Sequence, residues 1–177
     1  LMETSMDVVI TFTNGETIEL ELYPDIAPKT VANFINYVNQ GFYEGTIIHR
    51  AIDGFVIQGG GYDAELSRKE VSETVEGEFR DNGIDNPLHH DRGVISMARI
   101  PSEPDSASTQ FFIVVEDNRE VLDGQYAAFG QVLEGMDVVD KIAATKTGWG
   151  DKPLTPQVMQ KVTVDTHGVE YPAPKKS

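Results

Sequence analysis

The sequence predicts a mainly β domain, an antiparallel barrel or sandwich whose open ends are closed by helices. Three observations predict it. Many short runs have the composition of strands, turn residues separate these runs, and only two stretches carry apolar residues at helical spacing. A length of 177 residues fits one domain and is long enough to bury a core.

A β-hairpin opens the predicted domain. Asp7 to Thr13 is rich in Val, Ile and Thr, and Asn14-Gly15 follows it. Because both central positions of a type I′ turn need positive φ, Asn-Gly is a strong hairpin signal. Glu16 to Tyr23 then alternates apolar and polar residues, which is typical of a half-buried antiparallel strand.

Two helices are predicted. The first begins near Pro28, whose missing N–H is tolerated in a first helical turn, and stops at Gly41. The second runs from near Glu134 to about Ala144. The apolar stripe of the first helix is formed by Val31, Phe34, Ile35 and Val38.

The rest of the domain is predicted as short strands and loops. Residues 64–90 are expected to form a polar loop with room for one strand around Thr74 to Phe79. The domain is expected to span residues 7–167, with 1–6 as an extension or cloning remnant and 168–177 as a flexible tail. The further strand-like runs are Thr46 to His49, Val56 to Gln58, Gly93 to Ala98, Phe111 to Val115, Ala127 to Val132 and Val158 to Thr166.

Composition excludes several function classes. The chain has 14 Lys and Arg against 29 Asp and Glu, a net charge of −15, which disfavours nucleic acid and anionic membranes as partners. There is no cysteine, so disulfides and thiolate metal sites are excluded. No apolar run reaches the roughly 20 residues that span a bilayer. A cytoplasmic monomer is expected, with a signal sequence removed ahead of Leu1 as the alternative.

Two runs carry the candidate chemistry. His49 to Gly60 reads HRAIDGFVIQGG, and Ser96 to Ile113 reads SMARIPSEPDSASTQFFI. They supply a cation at Arg50, two glutamines and several aromatic residues, without a nucleophile paired with a base. Such a set suits a site that binds and polarises a group without forming a covalent bond.

These runs resemble the cyclophilin family of peptidyl-prolyl cis-trans isomerases. The arginine after Met97-Ala98 and the short loops are most similar to the bacterial type. The resemblance implies a closed eight-stranded antiparallel β-barrel capped by two α-helices. The matching blocks, which cover most of residues 7–166, are PKTVANF at 28–34, GFYEGTIIHRAIDGFVIQGG at 41–60, GVISMAR at 93–99, SASTQFFI at 106–113, LDGQYAAFGQV at 122–132 and EGMDVVDKI at 134–142.

The resemblance also implies an enzyme that rotates X–Pro peptide bonds without a cofactor. Such rotation needs no bond cleavage, only tighter binding of the twisted amide than of either planar form. The twisted nitrogen gains a lone pair, to which a fixed cation can donate a hydrogen bond. Arg50 is the candidate donor. Gln58 is the candidate brace for Arg50 and a donor to the substrate carbonyl.

The resemblance assigns the substrate-binding residues as well. The proline ring is expected against Phe55, Val56, Phe112 and Leu122. The residues before proline are expected in a groove formed by Ala98, Arg99 and Gln110, which would pair main-chain groups of the Ala98–Arg99 segment with the substrate. Strand alternation puts Phe111 and Phe112 on opposite faces, and the resemblance assigns Phe112 to the groove.

Three positions depart from the eukaryotic pattern of the family. Val56 stands where that pattern has Met, and Val121 where it has a Trp that contacts cyclosporin. Tyr126 stands where it has His. We therefore expect retained activity but weakened affinity for cyclosporin-type ligands.

Other residues have simpler interpretations. His89-His90 with Asp91 does not predict a metal site, because adjacent residues on an extended chain point apart. His49 is expected to be a buried, hydrogen-bonded structural histidine, and Trp149 to be structural. The glycines at 59–61 indicate close backbone packing, since no lysine and helix follow them as in a phosphate-binding loop.

The expected partners are proline-containing peptides and unfolded proteins, so that the chain would assist protein folding. One alternative is a non-catalytic module or chaperone of the same fold that grips proline segments. A carrier of small ligands would need a hollow barrel, which the large apolar residues of the predicted strands fill instead. Those residues include Ile10, Phe12, Leu20 and Phe129.

Overall fold

The computed structural model describes residues 6–69, 71 and 73–168. Of the extension expected at 1–6 and the tail expected at 168–177, residues 1–5 and 169–177 lie outside the described residues, whereas Met6 is the first residue of a strand. Three helices are present in the described part of the chain, α1 (Pro28–Asn39), α2 (Arg119–Leu122) and α3 (Met136–Ala143). The strands are β1 (Met6–Phe12), β2 (Thr17–Leu22), β3 (Thr46–Ile52), β4 (Val56–Asp63), β5 (Val94–Met97), β6 (Phe111–Val114), β7 (Ala128–Glu134) and β8 (Met159–Asp165).

All eight strands belong to one antiparallel sheet in the order β3-β4-β6-β5-β7-β2-β1-β8. The mainly β, antiparallel prediction is confirmed. The sheet is a curled half-barrel, and the expected closed barrel is not shown, because terminal strands β3 and β8 share no full ladder. They meet through the isolated bridge Ile47–Val158.

The shape of β3 accounts for this short contact. Its register against β4 shifts twice, between Thr46 and Ile48 and between Ile48 and Arg50. Such bulges increase local twist and turn an edge strand away from a further partner. The remaining contact consists of hydrogen bonds such as that from the N–H of Ile48 to the carbonyl of Gln157 (3.0 Å).

The predicted hairpin is present between β1 and β2. Gly15 has a φ of +88° and donates its N–H to the carbonyl of Phe12 at 2.9 Å. Asn14 Oδ1 accepts the N–H of Glu16 at 2.9 Å, which closes the turn. The hairpin is confirmed, but Gly15 alone takes a positive φ and Asn14 does not, so the turn is not the type I′ turn that the sequence predicted.

Helix α1 begins at Pro28, as predicted, but its cap comes from a distant loop. Ala27 supplies no side-chain hydrogen bond. The buried carboxylate of Glu78 instead accepts the N–H groups of Lys29 (3.2 Å) and Thr30 (2.6 Å). The Thr30 hydroxyl donates to the same carboxylate. A carboxylate at this position satisfies free N–H groups and suits the positive end of the helix dipole.

Three expectations need correction. Helix α2, only four residues long, was not predicted. The strand considered around Thr74 to Phe79 is reduced to an isolated bridge between Val75 and Ala107. Trp149 is 96% exposed, so the prediction that it is structural is wrong.

Apolar side chains form two clusters on opposite faces of the sheet. The larger cluster includes Phe34, whose ring centroid lies 5.8 Å from that of Phe111 and 5.3 Å from that of Phe129. The smaller cluster includes Phe112 and Leu122. The opposite orientation predicted for Phe111 and Phe112 is confirmed, and the smaller cluster forms the base of the site. No helix within the described residues combines the length and apolar composition needed to cross a membrane.

Candidate active site

A cavity of about 470 Å³ lies over the smaller apolar cluster. It brings together every predicted site residue except Gln110, which lies on an adjoining cavity of about 150 Å³. Pro101 and Gln125 also line it and were not predicted. The full lining is Arg50, Phe55, Val56, Gln58, Ala98, Arg99, Pro101, Phe112, Val121, Leu122, Gln125 and Tyr126.

Polar groups on β3 and β4 form one edge of this cavity. Arg50 and Gln58 are directly paired across the two strands. Arg50 Nη1 lies 3.5 Å from Gln58 Oε1, and Gln58 Nε2 donates to Gln110 Oε1 at 3.0 Å. Within the described residues Arg50 forms no ion pair. Its guanidinium is therefore oriented by a neutral amide, and its charge is not neutralised by a carboxylate.

The glycines after Gln58 leave space for this arrangement. A Cβ at Gly61 would lie 2.5 Å from Gln110 Nε2, closer than side-chain atoms approach in proteins. A Cβ at Gly59 would lie 2.7 Å from the carbonyl of Ile47. The interpretation of this run as close backbone packing is confirmed. At Gly61 the packing has a direct consequence for the site, because it makes room for the partner of Gln58.

The base of the cavity is apolar. Phe112, Val56 and Leu122 line it and belong to one buried apolar cluster. The ring of Tyr126 meets Phe112 edge-on, with centroids 5.5 Å apart and an interplanar angle of 89°. This surface suits an apolar ring such as that of proline, which offers no N–H.

Arg99 secures the rim of the cavity. Its guanidinium lies over the rings of Tyr126 and Phe79, 4.9 and 5.0 Å from their centroids. It also donates to the carbonyls of Gln125 (2.8 Å) and Pro101 (2.8 Å). The charge of Arg99 is thus used to hold neighbouring segments, whereas that of Arg50 faces the cavity.

The smaller cavity continues the larger one, since both are lined by Gln58, Ala98 and Arg99. It adds Gln110 from the chain just before β6. The N–H of Ala98 already donates to the carbonyl of Gln110 at 3.0 Å. A substrate that pairs with the Ala98–Arg99 segment would therefore use its other main-chain groups.

His49, next to Arg50, is poorly suited to acid-base chemistry. Its ring packs 4.7 Å from that of Tyr62, and burial, together with the charge of Arg50, lowers its pKa to about 4. Its Nδ1 is buried and has no hydrogen-bond partner among the described residues. The expectation of a hydrogen-bonded histidine is therefore not met at Nδ1, and the ring is neutral near pH 7.

The two histidines considered as metal ligands have a different role. His89 Nδ1 and His90 Nδ1 both contact Asp123, at 2.6 and 2.9 Å. No group of three or more metal-binding side chains occurs in the part of the chain that the structure describes. Asp123 lies 33 residues from His90, and the sequence carries no signal that pairs them.

Comparisons with known proteins agree with this geometry. The family model described as "Cyclophilin type peptidyl-prolyl cis-trans isomerase/CLD" matches residues 7–164. Peptidyl-prolyl cis-trans isomerase A of Dickeya dadantii is 44% identical over 91% of this chain and 85% of its own length. Peptidyl-prolyl cis-trans isomerase B of Escherichia coli is 42% identical over 88% of this chain and 99% of its own.

A solved structure leads to the same family. A cyclophilin type isomerase of Cryptosporidium parvum, crystallised in the presence of the dipeptide Ala-Pro, superposes with a TM-score of 0.75. It is 26% identical and covers 90% of this chain and 98% of its own. Family model, relatives and fold agree, and the chain belongs to the cyclophilin-type peptidyl-prolyl cis-trans isomerases.

Proposed function

We propose that this isomerase acts on X–Pro bonds of peptides and unfolded chains, with Arg50 as the catalytic donor and Gln58 as its brace. One observation carries the proposal: a guanidinium without an ion pair among the described residues faces the same cavity as the apolar surface of Phe112. A proline ring seated on Phe112 would bring its amide nitrogen towards Arg50.

The energetics set what this site has to supply. Rotation of an X–Pro amide has a barrier near 20 kcal/mol, and an acceleration of about 10⁵-fold requires lowering it by about 7 kcal/mol. Conjugation is lost in the twisted state, and the nitrogen becomes a hydrogen-bond acceptor. A charged donor held there stabilises the twisted state more than either planar state, which is the requirement for catalysis.

Gln58 would act on both partners of the reaction. Its Oε1 faces Arg50, and its Nε2 carries two N–H groups, one of which is bonded to Gln110. The second N–H is then free for the carbonyl oxygen of the residue before proline. The carbonyl oxygen must turn about the C–N bond while the proline ring stays seated, so this N–H would assist the reaction by meeting the oxygen in the twisted geometry.

The substrate proposal is supported by the shape of the site. Phe55, Val56, Phe112, Leu122 and Tyr126 would hold the proline ring, and Ala98, Arg99 and Gln110 the residues before it. The dipeptide present with the Cryptosporidium parvum relative contains alanine before proline. A short peptide with an Ala-Pro bond is therefore the first substrate to test.

We extend the proposal to the protein's setting. An isomerase domain at residues 7–167 would act as a cytoplasmic monomer that assists protein folding, without nucleic acid or membrane as a partner. Val121, 58% exposed on the cavity wall, offers less contact area than an aromatic residue would. Weakened binding of cyclosporin-type ligands follows from this.

The test is an exchange assay by NMR on a short Ala-Pro peptide. Arg50→Ala is expected to lower kcat/KM by about 100-fold or more, the usual effect of losing a donor to a transition state. Arg50→Lys should fall between, because it keeps the charge but loses the rigid fork. Lys161→Ala, an exposed change on β8, removes the same charge away from the cavity and should leave the rate unaltered.

Two outcomes would contradict the proposal. Full activity of Arg50→Ala would exclude Arg50 as the donor. Binding of the peptide by the wild type with exchange at the uncatalysed rate would instead indicate a non-catalytic module that grips proline segments. Peptide titration separates these outcomes, because it reports binding whether or not exchange is accelerated.

A further inference from the structure

A buried chain of hydrogen bonds lies behind the cavity base. His90 Nδ1 is 2.9 Å from Asp123 Oδ1, and His90 Nε2 is 2.9 Å from Ser96 Oγ. The backbone N–H of His90 also donates to Asp123 Oδ1, at 2.7 Å. His90 is 1% exposed and Ser96 is fully buried. We call this Asp123–His90–Ser96 chain the relay.

The relay connects both sides of the surface on which a proline ring would sit. Asp123 directly follows Leu122, which lines the cavity, at the end of α2. Ser96 lies on β5 directly opposite Phe112 on β6. The His90 ring is nearly parallel to that of Phe112, with centroids 6.0 Å apart and an interplanar angle of 19°. The His90 imidazole therefore stacks on Phe112 and is bonded to Asp123, the residue after Leu122, so it contacts the support of each apolar residue.

The protonation state of the relay follows from its surroundings. Burial would raise the pKa of Asp123, but hydrogen bonds from His89 and His90 outweigh it and leave that pKa below its ordinary value. Burial lowers the pKa of His90, against the opposing effects of Asp123 and Asp91, while His89 lowers it further. An ionised Asp123 accepts the Nδ1–H of a neutral His90. Nε2 then accepts the hydroxyl proton of Ser96.

The same order of groups occurs in serine hydrolases, where the serine is the nucleophile. That function is excluded here by access. Ser96 is fully buried on a central strand, so no substrate carbonyl reaches its oxygen. The relay accordingly acts on the packing of the site and not on the substrate itself.

We propose that His90 is a positioning residue of the isomerase site, which holds Phe112 and Leu122 at the spacing that seats the proline ring by bonding Asp123 and Ser96 simultaneously. This inference rests on the proposed function, because it concerns the same cavity. It assigns His90 no contact with the substrate. Its effect is on how well the ring is bound, whereas that of Arg50 is on the rate of rotation.

Acid should disrupt the relay in a specific way. A proton on Nε2 turns that atom from acceptor to donor, so Ser96 has to turn its hydroxyl proton away. Ser96 is fully buried, so its hydroxyl would need a new acceptor inside the protein, and the change should disturb the strand that faces Phe112. The charged groups around the imidazole are Asp123, Asp91 and His89. Because burial lowers the pKa of His90, peptide binding should weaken at a lower pH than the titration of an ordinary histidine, whose pKa is about 6.5.

The experiment compares the wild type with Ser96→Ala and His90→Phe, using one Ala-Pro peptide between pH 5 and pH 8. At pH 8 both variants should raise KM about fivefold and change kcat little, the opposite of Arg50→Ala. Ser96→Ala should also lose the weakening in acid, since no hydroxyl has to reorient. His89→Gln, a change at the exposed neighbour that also contacts Asp123, is the control and should keep the wild-type KM.

A second readout does not depend on catalysis. The NMR signals of the Phe112 ring should shift with pH more in the wild type than in Ser96→Ala, because only in the wild type does protonation of His90 also force the Ser96 hydroxyl to reorient. If His90→Phe does not fold, Ser96→Ala decides the question, because it removes one buried atom. A Ser96→Ala variant whose KM, pH profile and pH-dependent change in the Phe112 signals all equal those of the wild type would overturn the inference. A wild type that binds the peptide without isomerising it would instead overturn the proposed function, and peptide titration would still test the relay.

Discussion

Gln58 takes its orientation from neighbours on both sides. Its carbonyl faces Arg50 and its amide donates to Gln110, so neither end is free to flip without losing a contact. Gln110 in turn occupies the space that a side chain at Gly61 would fill. The geometry of the proposed catalytic pair therefore depends on a residue that carries no functional group.

Gly61→Ala should lower activity with little loss of stability. The added methyl group would force Gln110 from its position and break its hydrogen bond to Gln58. Since such a bond contributes about 1 kcal/mol, we expect kcat/KM to fall about fivefold in the peptide exchange assay. Gly148→Ala is the matched control, because its Cβ would meet only the side chain of exposed Leu154 and its φ of −108° suits alanine. Equal activity of the two variants would contradict this role for Gly61.

Residue-level prediction succeeded where chemistry is local and failed where it is not. Strand alternation and the resemblance together were sufficient to direct Phe112 into the cavity. The stacking of Arg99 on Phe79 and the pairing of His90 with Asp123 join residues 20 and 33 positions apart, and no periodicity connects them. A buried partner of this kind becomes visible only when the loops have been folded together.

At the scale of elements, α1 depends on a loop that the sequence describes only as acidic and polar. Ala27 offers no cap, and Glu78 fills that role by accepting the N–H of Thr30, 48 positions before it. The loop is thereby attached to the helix that covers the core. Fixing the loop there also fixes Phe79, the residue after Glu78, on which the Arg99 guanidinium stacks.

Glu78→Gln should destabilise the fold measurably. The amide keeps one acceptor oxygen but loses the charge, and it directs an NH₂ group at the helix N–H groups. We expect the free energy of unfolding in urea to fall by about 1–3 kcal/mol. Glu76→Gln, two residues away, removes only an exposed ion pair with Lys29 and should cost less than about 1 kcal/mol. Similar losses in the two variants would show that Glu78 is not the cap.

Helices and strands with a long sequence pattern were predicted correctly, and the shortest helix was missed. The hairpin and both long helices were found, with the second at Met136–Ala143 inside the predicted range of Glu134 to Ala144. Helix α2 is a single turn and too short to show a helical period. Closure of the sheet depends on how far the bulged strand β3 turns away from β8, which composition does not report.

For the molecule as a whole, the two apolar clusters have different roles. The larger cluster fills the curled sheet and carries stability, while the smaller cluster on the opposite face forms the surface of the cavity. Two histidines pack against aromatic rings, His49 against Tyr62 and His90 against Phe112. As pH falls, we therefore expect stability and peptide binding to decrease first through these two neutral imidazoles, before most carboxylates are protonated.

The free energy of unfolding should fall when the protein is moved from pH 7 to pH 5. Burial lowers the pKa of His49 to about 4 and lowers that of His90, so between pH 6.5 and about 4 the unfolded chain binds protons that the folded chain does not. Stability rises with pH wherever the unfolded state binds more protons, and His49 alone accounts for a loss of about 2 kcal/mol at pH 5. Urea unfolding at both pH values measures it. His49→Gln should remove most of the loss assigned to His49. An unfolding free energy that does not change between pH 7 and pH 5 would show that neither imidazole is kept neutral by the fold.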